Sequence, residues 1–188
     1  MYGAGKSIIA KIHLTNRSRQ GQFNRMNRLV ITLIGIVFTI SANAEEEKGI
    51  IGRVHENGLP VIYKFVNKLP QNTIRSNLSW LTVISWKYEG SLNNGMPLSD
   101  ENQRMITLED AIEDHIENDQ VLRHVYSRTG NNLKELVYYI NDQEKFLEAF
   151  NKALIGHPRY PIEINFYQDS DWEDFKRLLN NFAKAANK

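Results

Sequence analysis

The sequence predicts an α+β domain built on a mostly antiparallel sheet with helices on one face. Two observations carry this expectation. Apolar residues change period along the chain, from the strand repeat to the helix repeat and back, so strands and helices alternate. The resulting order, β-β-α-β-β-α-β-α, contains β-α-β-β-α-β, the ferredoxin-like split pattern. An extra N-terminal strand precedes it and an extra C-terminal helix follows.

Val61-Ile62-Tyr63-Lys64-Phe65-Val66 is short, branched and aromatic, and Pro60 and Pro70 bound it, so it reads as the first strand. Residues 80–89 alternate. Trp80, Thr82, Ile84, Trp86 and Tyr88 fall on one face, with Leu81, Val83, Ser85 and Lys87 on the other. This is the second strand, expected as a hairpin partner of the first. Met105, Leu108, Ile112 and Ile116 then recur at helical spacing, with Asp100 and Gln103 as an N-cap pair. Residues 121–129 and 133–140 form two strands around the turn Gly130-Asn131-Asn132. Asn141 with Glu144 caps a helix whose apolar face is Phe146, Leu147, Phe150 and Leu154, and Gly156 and Pro158 end it. Residues 160–167 form the last strand. Ser170 with Glu173 offers a capping box for a final helix lined by Trp172, Phe175, Leu178, Leu179 and Phe182.

The start of the chain predicts export. Met26-Asn27-Arg28 is a basic opening, residues 29–40 are an apolar stretch, and Ser41-Ala42-Asn43-Ala44 is a small-residue cleavage site before Glu45-Glu46-Glu47. The apolar stretch falls short of the ~20 residues that span a bilayer, so a cleaved signal peptide over 26–44 is expected, with no stable membrane span after cleavage. The expected location is periplasmic or secreted. Residues 1–25 read as a non-native or disordered extension, 45–57 as a polar leader, and 58–188 as one domain. Removing the six cations of residues 1–44 leaves 17 basic against 22 acidic residues. That balance makes nucleic acid an unfavourable partner, since phosphate binding needs clustered cations. Without cysteine there are no disulfides, no thiol chemistry and no thiolate metal site.

The run Gly58-Leu59-Pro60-Val61, the loop Gly95-Met96-Pro97, the segment Leu108-Glu109-Asp110, the pair Tyr138-Tyr139, and Asp169-x-Asp171-Trp172 before a helix lie in order along the chain. In these the chain resembles the bacterial family known as domain of unknown function 695, over most of residues 58–188. The family carries no established activity. The resemblance therefore implies a fold and transfers no catalytic residue.

No catalytic or metal-binding motif stands out. His55, His115, His124 and His157 show no helical pair at zinc-ligand spacing, so no metal and no cofactor is expected. No Gly-x-Ser-x-Gly occurs. Glu109, Glu113 and Glu117 stack on one helix stripe and read as a solvated face. Asp169, Asp171 and Asp174 read as helix-capping carboxylates. The candidate binding residues lie on the strands. His124, Tyr126 and Arg128 alternate on one side of theirs, with Tyr138 and Tyr167 on neighbours. If helices cover one face, these five would decorate the open one as a polar, aromatic platform. The expected function is a noncatalytic module that binds a protein or small ligand. The alternatives are a hydrolase using carboxylates and a histidine, and a single-strand nucleic-acid binder.

Overall fold

Branched and aromatic residues alternating through the middle of the chain pair into one sheet. The computed structural model describes residues 11–14, 32–33, 49–116 and 121–186. Its elements are β1 (Lys11–Leu14), β2 (Thr32–Leu33), β3 (Gly49–Glu56), β4 (Leu59–Val66), α1 (Asn72–Asn77), β5 (Trp80–Lys87), α2 (Ser99–Ile116), β6 (Leu122–Gly130), β7 (Leu133–Ile140), α3 (Gln143–Ala153), β8 (Ile162–Gln168) and α4 (Glu173–Ala186). Most of residues 1–25 and of the expected signal peptide, 26–44, lies outside the described residues. Among the described residues, no helix is long and apolar enough to cross a membrane.

The sheet order is β1-β8-β5-β7-β6-β4-β3-β2. From β3 to β8 every neighbouring pair is antiparallel. At the margins β1 joins β8 in parallel and β2 joins β3 antiparallel. The α+β class and the mostly antiparallel sheet are as the sequence predicts. Within it, β5 and β6 run the same way with β7 between them. β7 and β8 run the same way with β5 between them. Each β-α-β unit is thus split by one inserted strand.

Three expectations need correction. First, β4 pairs with β3 and β6, not with β5, which sits between β7 and β8. Adjacency in sequence misleads because the loop carrying α1 leads away from β4. Second, Gly49–Glu56, within the expected leader, is strand β3. Third, the helices do not share one face. Ile84, Trp86, Leu136, Tyr138, Ile164 and Phe166 meet α2 and α3. Leu81, Val83, Tyr126, Val137, Tyr139 and Tyr63 turn the other way and meet Trp172, Phe175, Leu178 and Phe182 of α4. The central strands are apolar on both faces, so burying only one would leave a large apolar area in water. The expected pair α2 and α3 does lie together; α4 crosses behind and makes a third layer.

Candidate functional site

The five expected platform residues do not share a face. In β6, His124 pairs with Tyr138 but Tyr126 pairs with Val137, which leaves Val125 as the extra residue of a β-bulge. The bulge reverses the facing of everything after it. His124 and Tyr138 stand on the α2–α3 side, with ring centroids 4.9 Å apart. Tyr126, Arg128 and Tyr167 stand on the α4 side. Tyr126 and Tyr138 are 1% and 0% exposed, so both rings are core. Tyr167 is half-buried at the margin of the α4 core.

Arg128 is the member that holds a buried charge next to partly exposed polar groups. Register places Gly52, Tyr63, Arg128, Glu135, Ser85 and Glu163 in one row across β3, β4, β6, β7, β5 and β8, all on the α4 side. Arg128 donates from Nη2 to Glu56 Oε2 at 2.6 Å, and its Nη1 lies 4.0 Å from Glu135 Oε2. Glu56 Oε1 accepts from the Tyr63 hydroxyl at 3.0 Å. Ser85 Oγ lies 3.5 Å from Glu135 Oε1. The arginine and Glu135 are buried, whereas Glu56, Ser85, Glu163 and Asn165 are partly exposed. Burial opposes the guanidinium charge, but the Tyr63, Glu135 and Glu56 oxygens outweigh it and hold the Arg128 pKa above its ordinary value. Burial likewise raises the Tyr63 hydroxyl, so this group stays protonated and donates.

Sequence reading missed Glu56, Tyr63, Ser85 and Glu135 as a set. Glu135, a lone acid among the apolar residues of β7, was the available signal.

His124 sits apart from this row. Its Nδ1 is 3.6 Å from Glu113 Oε1, and its Nε2 is buried with no hydrogen-bond partner. Burial outweighs the pull of Glu109 and lowers its pKa, so the ring is held neutral. Next to it, Lys134 is buried against Glu109, whose pKa is lowered. Burial resists the carboxylate charge there, and the charge and hydrogen bond of Lys134 overcome it. A cavity of about 10 Å³ lies under α2 beside Lys134, lined by Trp86, Met105 and Ile162 among others; His124 does not line it. Among the described residues, no group of three or more His, Asp or Glu could hold a metal ion.

Of the three aspartates read as capping carboxylates, Asp169 caps α4. Asp169 accepts from the N–H groups of Glu173 and Asp174 at 2.8 and 3.0 Å and from the Tyr139 hydroxyl at 2.6 Å. Asp169 thus takes the capping place that the sequence assigns to Ser170. Asp142 similarly caps α3 in place of Asn141, accepting from the Lys145 N–H at 2.9 Å. Asp174 accepts from Tyr126 and Arg177. Trp172 stacks on Tyr139 with centroids 3.8 Å apart and gives its indole N–H to the Leu78 carbonyl.

The loops at the opposite end of the strands are tied together. The Gly95 carbonyl accepts from the Tyr88 hydroxyl and the Asn132 N–H, both at 2.9 Å. Asn132 Oδ1 accepts from the Gly90 N–H. A Cβ on Gly95 would stand 3.0 Å from Leu59, so the Gly58–Val61 and Gly95–Pro97 stretches meet. These stretches and the Asp169–Trp172 corner hold the sheet's two ends, which gives their sequence a structural reason.

Compared with curated proteins and with solved structures, the chain has no match in either. The sequence profile of the family described as "Family of unknown function (DUF695)" matches residues 51–179, from within β3 into α4. That span covers most of β3, all of β4 to β8, the hydrogen-bonded loops and the capped corner, and the chain belongs to this family of unknown function, DUF695.

Proposed function

We propose that the chain is an exported, noncatalytic binding module, and that a protein or small-ligand partner meets the polar row around Arg128. The observation that carries this reading is the buried guanidinium held between Glu56 and Glu135 at the edge of partly exposed sheet. Buried ion pairs roughly break even against apolar packing, so stability alone gives little reason to keep one. Ser85 on β5 and Glu163 and Asn165 on β8 continue the strip of hydrogen-bonding groups across the same face. The hydrolase alternative draws less support, because His124 stands on the far face from Glu135 and Ser85. The nucleic-acid alternative loses its aromatic platform to the core.

Replacing Ser85 or Asn165 by Trp would fill the strip without touching the core. Each variant should melt like the parent and lose partners that the parent captures from an envelope extract. Unchanged capture would sink the site. Hydrolysis of an ester or peptide substrate by the parent, lost in Glu135→Gln, would put the hydrolase in its place.

A further inference from the structure

We propose that the outer edge of β8 accepts an extended strand from a partner protein, in the place that Lys11–Leu14 fills in this chain. The family-matched sheet has two edges, β3 and β8. Exposed edges present unpaired N–H and C=O groups, and soluble proteins blunt them with lysine, proline, charge or bulges. β3 is blunted: it carries Gly52, Arg53 and His55, and among the described residues only Thr32 and Leu33 pair with the side of it that faces away from β4. β8 is less protected: Ile162–Gln168 contains no lysine, no proline and one charge, Glu163, and its register on β5 runs unbroken from Trp80↔Gln168 to Trp86↔Ile162. An edge without a bulge is a template for strand addition.

The segment seated there shows what the edge takes. It runs parallel to β8, with Lys11 opposite Glu163, Ile12 opposite Ile164, His13 opposite Asn165 and Leu14 opposite Phe166. Ile164 and Phe166 are core positions beneath α2 and α3. The register therefore sets apolar residues opposite core positions and a cation opposite an acid. A partner segment with basic, apolar, polar, apolar order fits the same register, its main chain supplying affinity and its side chains selectivity. Residues 11–14 lie outside the family match. Cleavage after Ala44, which belongs to the export reading, would vacate the edge. That premise is checked separately by the mature N-terminus, so its failure and the failure of strand addition are distinguishable.

The test uses the full chain with Ile12→Pro and Leu14→Pro, which cannot complete the parallel ladder, and a fluorescein-labelled peptide of residues 9–16. Anisotropy should show saturable binding to the variant and at least tenfold weaker binding to the parent, whose edge is filled. A peptide of scrambled order should bind neither. If circular dichroism shows that the double variant does not fold, the single His13→Pro variant takes its place. No binding to a folded variant, equal binding to variant and parent, or a variant dimer that excludes the peptide would each overturn the proposal.

Discussion

Tyr126 shows how far one residue's role depends on a neighbour. The extra residue Val125 moves it from a presumed open face into the core, where its hydroxyl donates to Asp174 at 2.7 Å. Removing the ring should cost ~3–5 kcal/mol, the range for large buried aromatics. Tyr126→Phe keeps the ring and should cost ~1–3 kcal/mol, since a buried carboxylate loses a donor. Denaturant melts of the two variants read the difference. A cost near zero for Tyr126→Ala would return the residue to the surface.

Two buried titratable groups set an acid limit. His124 has a pKa pushed down by burial, against the opposing pull of Glu109. Glu109 and Glu113 face it from α2, with Tyr138 and Lys134 on β7 and Lys64 on β4. Its folded value lies below its ordinary value of 6.5, so the unfolded chain takes the proton first as pH falls. Stability is full above 6.5 and declines as pH drops towards the folded value. Glu109 is also lowered, so its contribution is full above 4.5 and is lost as pH falls through its folded value. Both signs agree: acid destabilises in two stages. His124→Phe should remove the upper stage and leave the lower one, which a series of melts from neutral pH downwards would show. An unchanged upper stage would assign it to another group.

At the scale of elements, the three long helices were legible because each buries a periodic apolar face, and the β6–β7 hairpin because Gly130-Asn131-Asn132 marks its turn; α1 (Asn72–Asn77) buries no side chain and left no such signal. Nor was β3 legible. Its inward positions include Gly52, its outward ones Arg53 and His55, and its pairing with β4 is visible only once a sheet exists. The second apolar face of β5 was visible as Leu81 and Val83, and its meaning, a third layer, needed α4 in place. The row through Arg128 draws one residue from each of six strands, and no spacing along the chain encodes such a row. The hairpin also holds a close approach. Gly130 has φ 139°, and a Cβ there would overlap the Pro60 carbonyl and press on the Val61 backbone. Gly130→Ala should therefore cost more than about 1 kcal/mol. A neutral or stabilising result would show that β4 and β6 can separate locally at no penalty.

At the scale of the whole molecule, export is the property with the simplest check. Mass spectrometry of protein from the native cell should find a mature N-terminus at Glu45. A product that retains Met26 would defeat the export reading, and one that also retains residues 1–25 would keep Lys11–Leu14 on the β8 edge.

Phe182, six residues from the end of the chain, rests on Gly52, where any Cβ would overlap its ring, and packs against Phe65 with centroids 4.7 Å apart. The floor beneath the last helix is thus made by the first strands of the domain. Contacts this distant in sequence form slowly. During synthesis the α4 side of the sheet stays open until the final turn of α4 has left the ribosome. A chain ended at residue 172 should accordingly stay protease-sensitive and bind a hydrophobic dye, while the full chain resists both. Late closure makes the C-terminal helix the step that commits the chain to its folded state.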